Sequence, residues 1–129
     1  MKKIRLVILG STGSIGISAL EVVEKYSDRV EIVGLSAHSN IKILAEQIKK
    51  FRPKLVAITD EHSYREFKSI QDSSLTRLID FSDGITPLAT MSEADIILNG
   101  IVGAAGLKAS LDAVKRRIDV LESKSTEGE

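Results

Sequence analysis

The stretch IRLVILGSTGSIG, Ile4 to Gly16, decides the fold. Its first six residues are almost continuously apolar, the pattern of a strand buried on both faces. Gly10, Gly13 and Gly16 then follow at a spacing of three. Behind them Ile15, Ala19, Val22, Val23 and Tyr26 recur at i, i+4, i+7, i+8 and i+11. That period predicts a helix over 14–26 with this apolar face turned to the sheet. In a strand–turn–helix unit each glycine has its own task. The first permits the tight turn, the second lets backbone approach a phosphate, and the third lets helix pack on strand. The helix N-terminus adds unpaired N–H groups and partial positive charge, which suit a pyrophosphate. Thr12 and Ser14 add hydroxyl donors. The spacing is one residue longer than the common dinucleotide fingerprint, and a turn kept for packing alone fits the same letters. No G-K-[ST] follows, so the loop is not that of a nucleoside-triphosphate hydrolase.

Outward from this unit the alternation continues. VEIVGLSA (30–37) reads as a second strand, and Asn40 as the N-cap of a helix whose face is Ile41, Leu44, Ala45, Ile48 and Phe51. Pro53 ends that helix, KLVAIT (54–59) is a third strand, and Asp60 caps a polar helix over 61–71. LTRLIDF (75–81) suits a short strand, and 83–91, with Pro87, a short or broken helix. ADIILN (94–99) is a strand. GLKASLDAVKRR then turns helical, with Leu107, Leu111 and Val114 on one face, before a last strand at 118–121. This predicts an α/β fold, a Rossmann-type doubly wound parallel sheet in a single domain over 1–121. The order 3-2-1-4-5-6 is expected, with the ligand at the carboxyl ends of the strands where the order reverses, beside the glycine loop. Residues 122–129 read as a disordered polar tail.

Composition narrows the function classes. The chain has 129 residues, 43% of them hydrophobic and 28% charged, as in ordinary globular domains. Lys plus Arg and Asp plus Glu number 18 each, so no electrostatic case exists for nucleic acid or an acidic membrane. With no cysteine, disulfides, thiolate metal sites and thiol nucleophiles are excluded. His38 and His62 lack the spacing of zinc ligands. The apolar run near the N-terminus is too short for a signal peptide or a membrane span, so a cytoplasmic location is expected.

Two further segments bear on the ligand. An NAD-specific site usually has an acid at the end of the second strand, for the ribose 2′-hydroxyl. Here that strand ends Ala37, His38, Ser39, Asn40, with no carboxylate. His38, Ser39 and the start of the second helix can donate to a 2′-phosphate, and Lys42 adds charge nearby, which favours NADP(H) over NAD(H). His38 equally suits a plain loop residue, and Asn40 a cap alone or both roles. NGIVGAAGL (99–107) follows the 94–99 strand on the same edge. It can wall the dinucleotide on its other side, or be a tight turn of small residues.

GSTGSIG at 10–16, HSN at 38–40, LAEQIKKFRPKLVAI at 44–58 and IVGAAGL at 101–107, in this order, resemble the 1-deoxy-D-xylulose 5-phosphate reductoisomerase family. The resemblance runs from about residue 4 to 121 and implies the family's N-terminal NADPH-binding domain. That family rearranges its substrate and reduces the intermediate with NADPH to 2-C-methyl-D-erythritol 4-phosphate, in non-mevalonate isoprenoid biosynthesis. It uses Mg²⁺ or Mn²⁺ and is generally a homodimer. Carried onto this chain, the pyrophosphate loop is Thr12, Gly13, Ser14 and Ile15, led in by Gly10 and Ser11. The 2′-phosphate segment is His38, Ser39 and Asn40, led in by Ala37. The second wall is Gly100, Ile101 and Val102, with Gly100 where the family has alanine. The family's next segment, L-A-N-K-E-S, is matched here only by ESKS in shifted register, so its roles are not transferred. Asp119 is also out of place in a buried strand. The metal carboxylates and substrate-phosphate site belong to a central domain outside this sequence. No catalytic residue or metal is therefore assigned to the chain, and it is expected to bind NADPH without turnover. The other readings are a stand-alone NADP(H)-sensing module and a remnant that binds nothing.

Overall fold

The computed structural model describes residues 2–71, 76–101, 104–116 and 118–122. Six strands form one parallel sheet: β1 (Ile4–Leu9), β2 (Val30–Ala37), β3 (Leu55–Ile58), β4 (Arg77–Leu78), β5 (Ile96–Asn99) and β6 (Asp119–Glu122). Five helices connect them: α1 (Ser14–Lys25), α2 (Ile41–Phe51), α3 (Glu61–Ile70), the single turn α4 (Thr86–Ala89) and α5 (Ala104–Lys115). The strand order is β4-β3-β2-β1-β5-β6. The doubly wound α/β architecture is as the sequence predicts, but the fourth strand is not beside β1. It shrinks to two residues and pairs with β3, Leu55 opposite Arg77 and Val56 opposite Leu78. The chain thus takes one more right-handed step outward through α3 before it returns across the sheet to β5. The order still reverses at β1, so the switch point stays at the glycine loop.

Alternate side chains of the central strands feed two cores. Ile8, Leu35 and Val56 pack with Leu20 and Val23 of α1, Leu44 and Ile48 of α2, and Tyr64 and Phe67 of α3. Val7, Leu9, Val33 and Ile97 pack on the other face with Leu88 of α4 and Ala109 and Ala113 of α5. Each large side chain fully buried here contributes about 1.5–3 kcal/mol. The pairing of β1 with β2 carries a bulge, in which Leu6 faces Ile32 and Val7 faces Gly34. A side chain on Gly34 would run into Leu88, so this glycine makes room for α4.

Caps and breakers act where the sequence placed them. Asn40 Oδ1 accepts from the Ile43 N–H at 3.1 Å, and Asp60 Oδ2 from the Ser63 N–H at 3.0 Å. The Ser63 hydroxyl and amide hold the Asp60 carboxyl below the usual carboxylate range. Pro87 sits in the first turn of α4, where its missing N–H costs nothing. Asp119 lies exposed on the edge strand β6, which removes the difficulty of a buried charge. Glu122, assigned to the tail, closes β6; residues 123–129 lie outside the described ones.

Two helix faces depart from expectation. In α1 the buried residues are Gly16, Leu20 and Val23, while Ile15, Val22 and Tyr26 are about half exposed. In α5 Ala109 and Ala113 are buried, and Leu107, Leu111 and Val114 face outward. The cause is the same in both. A Cβ on Gly16 would lie 2.5 Å from the Gly10 carbonyl oxygen and from Ser11 Cα, and one on Gly106 would overlap the Ile101 carbonyl. Each helix meets the backbone of the turn that leads into it at its glycine, and this close approach fixes the rotation of the rest.

Candidate functional site

The glycine loop leaves β1 with Gly10 in the left-handed region, φ +77°, which favours glycine. The turn closes with the Gly13 N–H on the Gly10 carbonyl at 3.2 Å. Gly13 then serves as N-cap of α1, without a side chain to cap it and with no acid in the first turn. The first amides of α1 therefore have no intrahelical acceptor and no competing carboxylate. Gly13, Ser14 and Ile15 are exposed at this end, and Thr12 is half-buried.

Ser11 does not share that exposure. It is fully buried, and every polar group it has is engaged inside the protein. Its N–H donates to the Ser36 carbonyl at 2.7 Å, its Oγ to Gln47 Oε1 at 2.7 Å, and its carbonyl accepts from Gln47 Nε2 at 2.9 Å. It holds the loop and offers no side chain to a ligand, because β2 and α2 close over it.

The end of β2 lies beside the loop. Ser36 Oγ accepts from the Gly10 N–H at 2.9 Å. Ala37 is buried, whereas His38, Ser39 and Asn40 are exposed, with Asn40 engaged as the cap of α2. His38 Nδ1 lies 2.9 Å from Thr59 Oγ1, which orients the ring. On the other side the Gly100 N–H donates to the Leu9 carbonyl at 3.0 Å, and a Cβ on Gly10 would meet Gly100 and Ile101 at 3.5 Å. Asn99, buried, accepts from the Ile101 N–H at 2.9 Å and donates to the Gly106 carbonyl at 2.8 Å. Val102 lies outside the described residues.

These segments meet around a cleft of about 580 Å³. Gly10, Ala37, His38 and Thr59 line one side, Phe81 to Thr86 another, and Ile101, Lys108 and Asp112 a third. Lys108 Nζ bonds Asp112 at 2.9 Å and keeps that carboxyl below its usual range. Of the residues expected at the site, Gly10, Ala37, His38 and Ile101 line this cleft, whereas Ser11 to Ile15, Ser39, Asn40 and Gly100 do not. Sequence reasoning missed Ser36, Gln47, Thr59, Asn99 and the 81–86 turn. Ser36 and Asn99 had a signal, each a polar residue in an apolar strand. Gln47 had one too, being three residues from Leu44 on the buried side of α2. Among the described residues no three His, Asp or Glu side chains gather to hold a metal ion. No helix among them is long and apolar enough to cross a membrane.

A sequence model of 1-deoxy-D-xylulose 5-phosphate reductoisomerase matches residues 6–123. The chain belongs to this reductoisomerase family. Family members so named from Thermodesulfovibrio yellowstonii and Chloroherpeton thalassium are 48% and 40% identical over 116 and 123 residues, covering 89% and 95% of this chain. The chain spans 29% and 32% of their lengths, so it corresponds to about a third of such a reductoisomerase. The Zymomonas mobilis reductoisomerase in complex with NADPH has the same fold, with a TM-score of 0.86 and 32% identity over 95% of this chain and 32% of that one. A reductoisomerase structure with NADPH, fosmidomycin and magnesium gives a TM-score of 0.82 at 28% identity, over 91% of this chain and 29% of the other. The reductoisomerase resemblance read from the four motifs therefore holds, as does the six-stranded parallel fold.

Proposed function

We propose that this chain is the NADPH-binding part of a cytoplasmic reductoisomerase that converts 1-deoxy-D-xylulose 5-phosphate to 2-C-methyl-D-erythritol 4-phosphate in isoprenoid biosynthesis. It binds the cofactor and turns over no substrate alone. Gly13 carries the reading. Gly10 is required by its backbone angle and Gly16 by the backbone packed against it. Gly13 is required by neither: its φ is −80°, and a Cβ there would meet only the Gly10 oxygen at 3.5 Å. A glycine that the protein itself does not need, at an uncapped helix N-terminus, fits an anion seated against the backbone.

When bound, NADPH supplies the hydride of the reduction. The amides at the start of α1 hold its pyrophosphate. His38, set by Thr59, meets the 2′-phosphate together with Ser39 and Asn40; β2 itself ends without a carboxylate, and the nearby Asp60 carboxyl is engaged by Ser63 as the cap of α3. Gly100 and Ile101 wall the far side. The metal and the substrate phosphate are held by the rest of such an enzyme, together with the homodimer contacts; the zero formal charge favours no nucleic-acid or membrane partner.

Calorimetric titration of the chain with NADPH and with NADH tests this. NADPH is expected to bind at least about tenfold more tightly, close to 1.4 kcal/mol, and His38→Asp to remove the preference. Equal affinity would mean that the 2′-phosphate is not recognised, equal loss of both in His38→Asp would move it elsewhere, and no binding of either would leave the remnant reading.

A further inference from the structure

Resting on that reading, we propose that Gln47 is a positioning residue for the phosphate loop, acting from α2 through Ser11. Gln47 is 8% exposed, and both polar atoms of its amide bond Ser11, at 2.7 and 2.9 Å. Its neighbours on the buried side of α2 are Leu44 and Ile48, and an apolar side chain in its place would strand the buried hydroxyl and carbonyl of Ser11. A buried amide there has its use in geometry, since a fully paired polar contact fixes one arrangement where apolar packing tolerates several.

The arrangement it fixes is a single peptide plane. The Ser11 carbonyl and the Thr12 N–H belong to one trans peptide, so they point in opposite directions. Gln47 Nε2 holds the carbonyl toward α2, which turns the Thr12 N–H away from α2. The Ser11 N–H, bonded to the Ser36 carbonyl, pins the other side of the same residue, and Ser36 Oγ pins the Gly10 N–H. Ser11 is thus held at three points by β2 and α2, immediately before the residues whose amides open α1. Without Gln47, Ser11 keeps only the Ser36 bond and the Gly16 contact and the Ser11–Thr12 peptide has more room to rotate, so more of the loop's ordering falls to the ligand at binding.

The test uses the 129-residue chain with Gln47→Met, which keeps length and loses both bonds, and Gln47→Glu, which keeps only the acceptor. NADPH affinity should fall about tenfold or more in both. Affinity for adenosine 2′-monophosphate, which lacks the pyrophosphate, should stay within about twofold, because the His38 end is untouched. Amide hydrogen exchange at Ser11, Thr12 and Gly13 should accelerate while exchange at Leu44 and Val56 does not. NADPH affinity within twofold of the parent overturns the proposal. So does parallel loss of both ligands with the melting temperature, which marks Gln47 as structural only. If the parent chain binds no NADPH, the functional reading fails separately. Exchange then decides alone: faster loop exchange in the variants supports the positioning role, and unchanged exchange overturns it.

Discussion

Three glycines with identical chemistry have three different reasons to be glycine. At Gly10 it is a backbone angle of φ +77°, at Gly16 the carbonyl and Cα packed against it, and at Gly13 the space in front of α1. Gly13→Val should still fold, with a melting temperature lower by no more than about 5 °C, since valine is a poorer N-cap than glycine by about 1 kcal/mol. It should weaken NADPH at least about 100-fold, some 2.7 kcal/mol, measured by the same titration. Unchanged affinity would remove the loop from the binding site. The turn at Gly10 and the close packing at Gly16 were legible in the spacing. The burial of Ser11 was not, because it depends on Gln47, which stands 36 positions away.

At the scale of the element, helical period was legible throughout and helix orientation only where no glycine intervened. The face of α2 was read correctly, with Leu44 and Ile48 buried. In α1 only the inner edge of the expected stripe, Ala19 and Val23, packs on the core, and in α5 Leu107, Leu111 and Val114 all face outward. Ile15, Val22 and Tyr26 stay half exposed while Gly16, Leu20 and Val23 are buried, since the helix packs where its backbone can come closest. Gly16→Ala tests this by setting two effects against each other. Alanine favours the helix by about 1 kcal/mol over glycine. Its Cβ would press within 2.5 to 2.7 Å of three backbone atoms that have no rotamer in which to escape. Overpacking of this kind costs about 3 kcal/mol at its upper range, leaving a net loss near 2 kcal/mol. A melting temperature lower by about 5–10 °C is expected, and one equal to or above the parent's would refute the close-packing account.

In the whole molecule, the cleft exists because the chain reverses direction at β1, bringing the ends of β1, β2 and β5 together with the 81–86 turn. The outward stripe of α5 belongs to this scale too. Leu107 and Leu111, 62% and 52% exposed, add little to the core. The double change Leu107→Gln and Leu111→Gln should shift the melting temperature by less than about 3 °C. Leu44→Ala, at a fully buried site, should cost about 2–5 kcal/mol. A comparable loss from the α5 pair would mean that this stripe is packed after all. By itself the sequence determined the alternation of strands and helices, the caps at Asn40 and Asp60, the glycine loop at the head of α1, and the carboxylate-free end of β2. These are local, set by side-chain period, hydrogen bonds within a turn, and backbone freedom at single residues. Only the tertiary structure decided that β4 extends the β3 edge, which faces of α1 and α5 meet the sheet, and that Gln47 holds Ser11. Those outcomes depend on how closely distant backbones approach and on which polar groups are then shut away from water, and neither is a property of a residue's own neighbours in the chain.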